Sequence, residues 1–166
     1  MDFMPFYMIF LQSVPESMIL IALGLNLTGF KSSWKLVLLV ALLVSVFSYF
    51  IRVLPLLPGV NVFLQLPLMI ILIVFICRIP LLYTMIASFL GLICINITET
   101  IFNGIIFRIT GIPVQEAMAD TLWRIIYPVP EFIFLTVLIL LINHYEIVFF
   151  NFSQLEEIGS EEHEQK

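Results

Sequence analysis

The amino-acid sequence predicts an all-α protein, a polytopic membrane bundle of about five transmembrane helices plus one short interfacial helix. Of its 166 residues, 61% are hydrophobic and 11% are charged, whereas soluble domains carry about 25% charged residues. The apolar residues form runs of about 20, which is the length that crosses the hydrocarbon core of a bilayer. Proline, glycine and basic residues separate these runs, so we expect the chain to cross the membrane repeatedly.

The first predicted span covers roughly residues 3–30 and contains Pro15 and Glu16. Pro15 either kinks one long helix or begins a second one, because proline is tolerated in the first turn of a helix but not in its interior. If a helix begins there, the side chain of Ser13 can cap its exposed amides. Gly29 and the basic residues after it predict a tight turn at the end of this span.

Four further spans and a short helix follow. The spans are expected at residues 34–54, 60–77, 81–107 and 130–150. Between the last two, residues 113–124 form a short helix with one apolar side, made of Val114, Ala117, Met118 and Leu122, which is typical of a helix lying in the interface. Residues 1–151 are therefore interpreted as the transmembrane bundle, and 152–166 as a disordered, acidic cytoplasmic tail.

The charged residues near the turns predict the orientation in the cell membrane. Lys31, Lys35 and Arg78 occupy the short turns after spans one and three, and basic residues in short loops favour the cytoplasmic side. We therefore expect a multi-pass protein with its N-terminus outside and its C-terminus in the cytoplasm. No basic segment precedes the first apolar run, so we expect that run to be retained rather than cleaved as a signal peptide.

Ionisable side chains from several spans are expected at one depth in the outer leaflet. At about 1.5 Å per residue, Glu16, Arg52 and Glu99 lie about 22, 25 and 28 Å from the cytoplasmic turns, and Glu131 begins a span that enters from outside. The second half of span four adds amides and hydroxyls at the same level. The candidate ligand-binding or ion-pair residues are Glu16, Arg52, Asn96, Glu99, Asn103 and Glu131.

Two interpretations of this set stay open. Opposite charges at one depth of a dry bundle are expected to pair, and Glu16 with Arg52 is the first choice. For that pair alone, a clamp that fixes how two spans pack is favoured. For the whole set, a charged pocket open to the outside is favoured, because three acids and a polar helix face exceed what a clamp requires.

The sequence does not indicate an enzyme. The two histidines are His144 and His163, and the two cysteines, Cys77 and Cys94, stand alone within apolar runs. A thiol protease would need Cys77 and His144 to meet near the cytoplasmic face, but no motif supports this. We expect no catalytic residue, no cofactor and no metal site, and we find neither a phosphate-binding glycine loop nor a basic patch for nucleic acid.

Several short motifs resemble a known family. The segments 13–16 (SVPE), 48–52 (SYFIR), 78–80 (RIP) and 98–100 (TET) resemble the multi-span N-terminal regions of Gram-positive sensor histidine kinases, broadly like the receptors of quorum-sensing peptides. The resemblance extends to about residue 151, and no kinase motif follows in this sequence. It implies a bacterial, sensor-like membrane module that acts through a partner.

The sequence therefore predicts a non-enzymatic membrane sensor or interaction module with a charged pocket in the outer leaflet. Its expected partners are the lipid bilayer, another protein or a second copy, and an extracellular small molecule or peptide, but no nucleic acid. One alternative is a small transporter or a substrate-binding subunit of one, with coupling to protons as an option; another is an assembly partner without a ligand. The depth of the charges favours sensing, because transport sites are expected near the bilayer midplane.

Overall fold

The computed structural model describes residues 9–30, 32–53, 60–145 and 148, and these residues form helices but no strand. A π-helical segment, Ile9–Ser13, leads into the α-helices. These are α1 (Val14–Leu27), α2 (Trp34–Val53), α3 (Val60–Cys77), α4 (Leu81–Thr110), α5 (Val114–Ala119), α6 (Thr121–Ile126) and α7 (Val129–Tyr145). The predicted all-α fold class is confirmed. Lys31, His163 and the predicted tail at 152–166 lie outside the described residues.

Three stretches are long and apolar enough to cross a membrane. They are Trp34–Ile51 in α2, Leu81–Thr110 in α4, and Leu122–Tyr145, which joins α6 and α7. Two shorter apolar stretches, Leu11–Leu27 and Leu64–Cys77, correspond to α1 and α3. Within the described residues, each of these apolar stretches falls in a predicted span, except that Leu81–Thr110 ends beyond 107 and the last begins at Leu122 instead of 130. Helix α1 covers only part of the first predicted span at 3–30, of which residues 1–8 are not described.

Helix α1 lies at the centre of the bundle. It packs against α2, α4 and α7, and α3 packs against α2 and α4. Its side chains are correspondingly buried, with Leu23 and Leu25 at 0% and 1% exposure. Since α1 contacts three helices, its first turn, which contains Glu16, is brought close to residues from several parts of the chain.

The backbones of α1 and α4 approach closely at two glycines. A Cβ atom on Gly91 would lie 2.5 Å from the carbonyl oxygen of Leu20, and a Cβ atom on Gly24 would overlap the carbonyl oxygen of Ala87. Small residues at helix contacts allow such close approach. Close packing stabilises helix contacts in a membrane, because the surrounding lipid provides no hydrophobic driving force for association. The two glycines therefore fix how far apart α1 and α4 can be.

The turn after α1 is confirmed and has a specific hydrogen-bond pattern. Gly29 has φ +79°, and the N–H of Phe30 bonds to the carbonyl of Leu25 at 3.0 Å while the N–H of Gly29 bonds to that of Asn26 at 3.2 Å. These are the two bonds of a Schellman motif, which glycine favours because it has no Cβ. Gly111, with φ +71°, ends α4.

The prediction that Ser13 caps the helix at Pro15 was wrong. Helix α1 does begin at Val14 with Pro15 in its first turn, but the side chain of Ser13 makes no capping hydrogen bond. Its backbone is itself helical, with φ −68° and ψ −36°, because the π-helical segment continues directly into α1. A capping residue needs a non-helical backbone to turn its side chain toward the amides, so the geometry for a cap is absent.

The predicted single helix at 113–124 is two helices. Asp120 is extended, with φ −96° and ψ +131°, and its carboxylate accepts a hydrogen bond from the N–H of Leu122 at 3.0 Å. This cap begins α6, and the extended Asp120 interrupts the helical repeat between α5 and α6. As a result Ala117 is fully buried while Leu122 is 68% exposed, so the two do not share one apolar side as predicted.

Candidate functional site

Three carboxylates meet at one end of the bundle. Glu16 lies in the first turn of α1, Glu131 in the first turn of α7, and Glu99 in the second half of α4. The two Val-Pro-Glu segments start their helices with proline and put a carboxylate near the positive end of the helix dipole, which favours negative charge there. We call Glu16, Glu99 and Glu131 the acid cluster.

Glu131 is the most enclosed member of the acid cluster. It is 6% exposed, Glu16 is half-buried, and Glu99 is exposed at the edge of the bundle. Both Glu99 and Glu16 are close enough to Glu131 to act on it electrostatically. Among the described residues, no hydrogen bond or ion pair is found at the Glu131 carboxylate. The structure thus encloses a carboxylate beside two others.

The predicted pair of Glu16 with Arg52 remains a prediction. Arg52 lies in the last turn of α2, and its side chain is outside the described residues. The hydroxyls of Ser17 and Ser45, 3.5 Å apart, show which turns of α1 and α2 face each other near Glu16. Arg52 is two turns beyond Ser45, or about 10 Å farther along α2.

The polar residues of α4 differ in exposure and in hydrogen bonding. Asn96 is exposed and its amide donates to the carbonyl of Leu92 in its own helix at 2.7 Å. Thr100 is also exposed and bonds back to the carbonyl of Asn96 at 2.7 Å. Asn103 is half-buried, and its carbonyl accepts a hydrogen bond of 3.4 Å from the hydroxyl of Tyr127. Asn96, Glu99 and Thr100 are therefore all exposed on α4, whereas Asn103 is half-buried.

An apolar groove, which the sequence did not predict, runs between α1 and α7. Its volume is about 310 Å³. The residues lining it are Pro15, Met18, Ile19, Trp34, Phe132, Thr136, Ile139 and Leu140. Glu16 and Glu131 are the chain neighbours of Pro15 and Phe132, but neither glutamate is among the lining residues. The sequence could not predict this groove, because nothing in the pattern shows which helices lie side by side.

A second cavity lies toward the other end of α1 and α7. It measures about 190 Å³ and is lined by Ala22, Leu25, Asn26, Ser32, Trp34, Val37 and Asn143. Trp34 lines both this cavity and the apolar groove. The two asparagines make this cavity more polar than the groove, and neither was identified from the sequence.

The remaining chemically active side chains have local contacts. The hydroxyl of Ser32 donates to the sulfur of Cys77 at 3.5 Å, and the ring of His144 lies edge-on to Tyr145 with centroids 5.1 Å apart. Cys94 is half-buried in α4. Within the described residues, no group of three or more His, Cys, Asp or Glu side chains is arranged to hold a metal ion.

Comparisons of the chain with family models, with curated proteins and with solved structures found no match. The resemblance to the membrane regions of sensor kinases therefore remains a prediction from the short motifs alone. Function has to be inferred from the residues and their arrangement.

Proposed function

We propose that this chain is a non-enzymatic integral membrane sensor or interaction module that binds a positively charged ligand at the acid cluster and acts through a partner protein. The observation that carries the proposal is the 6% exposure of Glu131 beside Glu99 and Glu16. A buried carboxylate next to like charges is costly unless a proton neutralises it or a cation compensates it. A bound cation would therefore favour the arrangement of helices that encloses it. Because the cation binds that arrangement more tightly than another, it can shift the bundle toward it.

The proposal includes five membrane spans with the acid cluster in the outer leaflet. Two contacts support the same direction for α1 and α3 in the bundle. Ser32 and Cys77 are 3.5 Å apart, and the rings of Phe30 and Tyr83 are 5.6 Å apart, so the turns after α1 and α3 meet at one end. The basic residues of these turns favour the cytoplasm, which would leave the acid cluster at the outer end.

The proposed partner is supported by the outer face of α4. Asn96, Glu99 and Thr100 are exposed on a helix that is long and apolar enough to cross a membrane. Polar side chains facing lipid are unfavourable and are usually covered by protein or water. A partner helix, or a second copy of this chain, on that face would shield them, and it would also sense a change at Glu99.

A small transporter is the second candidate, and one observation favours it. The π-helical segment Ile9–Ser13 makes the helix irregular just before Pro15 and Glu16, and transporters often place irregular helices at their substrate sites. Such sites lie near the midplane, whereas the acid cluster lies at one end of the bundle. Sensing is therefore the preferred function.

The proposal can be tested with tetramethylammonium, a cation that has no hydrogen-bond donors. The protein in nanodiscs is unfolded thermally at increasing probe concentration, with sodium at equal ionic strength as the reference. Specific binding stabilises by about 2.7 kcal/mol at a hundred times Kd. We expect saturable stabilisation of the wild type that Glu131→Gln removes and Glu116→Gln, a change at an exposed acid of α5, retains.

Two other results would contradict the proposal. Equal stabilisation by tetramethylammonium and sodium, or by tetramethylammonium in the Glu131→Gln variant, would mean that only ionic strength matters. Saturable uptake of the same cation into proteoliposomes, dependent on Glu131, would support the transporter instead of the sensor.

A further inference from the structure

Helix α4 has one face that the rest of the described chain does not cover. Its buried residues are Thr84, Ala87, Ser88, Gly91, Ile95 and Thr98, which lie on the side toward the bundle. On the opposite side the exposed residues include Leu82, Phe89, Ile93, Asn96, Thr100 and Phe107. The half-buried Ile86 and Asn103 fill the gaps in this series. We call these residues together the α4 seam.

The residues of the α4 seam follow one another at alternating steps of four and three along the helix. This is the spacing of the a and d positions at which the helices of a coiled coil pack together. From Leu82 to Phe107 the seam extends for more than three heptads, the length over which the pattern predicts helix pairing. It covers about 38 Å, which exceeds the hydrocarbon core of about 30 Å. A second helix on this face would therefore contact α4 through the full thickness of the core.

The polar side chains distinguish this face from one that simply faces lipid, since every helix face repeats at three and four residues. Asn96 lies at the middle of the 30-residue α4, and Thr100 follows one turn later; both are exposed. The Asn96 amide donates one N–H to the carbonyl of Leu92 at 2.7 Å, and among the described residues its oxygen and its second N–H have no partner. Such groups are unfavourable in hydrocarbon, so the middle of the seam requires a hydrogen-bonding cover.

A second copy of the chain provides that cover. An asparagine amide carries both donors and an acceptor, so it complements itself. Two copies inserted in the same direction have parallel α4 helices, and a two-fold axis along the membrane normal puts each seam residue opposite its own copy at the same depth. Glu99 lies about 100° around the helix from Thr100, so it flanks the seam and the two negative charges are not brought together.

We infer that two copies of this chain pair through the α4 seam, with parallel helices and with the Asn96 amides of the two copies hydrogen-bonded to each other. A polar residue in a coiled-coil seam selects paired helices in register, and amides bond between helices in membranes in the same way. The inference rests on the proposed function, which requires a partner on this face of α4, and it identifies that partner as a second copy.

Disulfide crosslinking tests the pairing residue by residue. Cys77 and Cys94 are first replaced by alanine. Membranes that contain a single cysteine in α4 are then oxidised with copper phenanthroline. The variants Thr100→Cys and Phe107→Cys lie on the seam, whereas Ile101→Cys and Ile105→Cys, at exposed positions off the seam, are the controls at nearly the same depth.

We expect the seam cysteines to form a covalent dimer several-fold faster than the controls. Residues opposite their own copies come within the Cα–Cα distance of about 4.4–6.8 Å that a disulfide requires. Equal rates at all four positions would show random collision, faster reaction at the controls would show a different interface, and no reaction would show that the chains do not pair. Each of these results overturns the inference. A Thr100→Cys product with a mass other than twice that of the chain would also overturn it, because another protein would then cover the seam.

Energy transfer between labelled copies tests the role of Asn96. In the same background without native cysteines, Gln115→Cys, at an exposed position beyond α4, carries a donor or an acceptor dye, and the mixed protein is diluted with lipid in vesicles. We expect Asn96→Leu to increase the dissociation constant several-fold and Asn96→Gln, which keeps the amide, to change it less. Asn96→Leu removes a polar group from an exposed position in the membrane, so it should not impair folding. Unchanged energy transfer in Asn96→Leu would contradict the pairing of the two amides.

The failure of this inference can be distinguished from the failure of the proposed function. If the seam cysteines do not crosslink but tetramethylammonium stabilises the protein through Glu131, the ligand site stands and its partner is another protein. If the seam cysteines crosslink and tetramethylammonium has no specific effect, the paired helices stand without the proposed ligand.

Discussion

Glu131 is enclosed by α1, α4 and α7 beside two other carboxylates, so its charge should weaken the bundle when no ligand is bound. Glu131→Gln keeps the shape of the side chain and removes the charge. We expect the variant to be more stable by about 1 kcal/mol, which raises Tm by about 2–4 °C in a chain of this size. Thermal unfolding in nanodiscs without added cation measures the change.

Glu116→Gln is the control for this prediction, because an exposed acid outside the cluster should change stability by less than about 0.5 kcal/mol. A loss of stability in Glu131→Gln would show that attractive contacts hold the carboxylate. The acid cluster would then be a packing device and not a ligand site.

The predicted pair of Glu16 and Arg52 can be tested by a double-mutant cycle. The contact between Ser17 and Ser45 brings α1 and α2 together next to Glu16, which gives a long arginine side chain from the end of α2 a route toward it. For Glu16→Gln, Arg52→Gln and the double variant, we expect a coupling of about 1 kcal/mol or more in the free energy of unfolding. Additive effects of the two changes would exclude a direct clamp.

At the scale of helices, the contact between α1 and α4 depends on glycine. A Cβ on Gly24 or Gly91 would meet backbone atoms of the other helix, and backbone cannot move aside as a flexible side chain can. We expect Gly24→Ala and Gly91→Ala each to destabilise the protein by about 1–3 kcal/mol, the usual cost of overpacking. Thermal unfolding of the purified variants gives the values.

Gly104 is the matched control for these two substitutions, since it lies in α4 with nothing near its missing Cβ. Gly104→Ala should stabilise the helix by about 1 kcal/mol, because alanine has the higher helix propensity. If all three substitutions behaved alike, the spacing between α1 and α4 would not be set by the glycines.

The sequence predicted the helices well where proline or glycine marked their ends, as at Gly29 and Gly111. It missed the break at Asp120, whose carboxylate caps α6 through Leu122, because the apolar pattern of residues 113–124 was interpreted as one helix although aspartate is a preferred N-cap residue. The sequence could not show that Glu131 is enclosed while Asn96 and Glu99 are exposed, because exposure depends on which helices are neighbours.

Among the described residues, the acids of the cluster lie at one end of the bundle, and Lys35 and Arg78 lie in or next to the turns that meet at the other end, where Ser32 contacts Cys77. Arg108 and Arg124, in the last turns of α4 and α6, lie on the side of the acid cluster. The sequence analysis derived these depths by counting about 1.5 Å of rise per residue from the turns. The groove between α1 and α7 could not be predicted in the same way, since it depends on lateral packing.

The number of spans determines on which side of the membrane the turns lie. If α1 and α3 cross together with the three long helices, Ser33 and Arg78 share one side; if only the long helices cross, these two residues lie on opposite sides. After Cys77 and Cys94 are replaced by alanine, single cysteines at Ser33 and Arg78, both exposed, are treated with an impermeant maleimide in intact cells. We expect neither to react until the membrane is permeabilised, while a cysteine at exposed Gln115, beyond α4, reacts at once. Reaction of only one of Ser33→Cys and Arg78→Cys in intact cells would exclude five spans, and reaction of both would reverse the orientation and put the acid cluster on the cytoplasmic side.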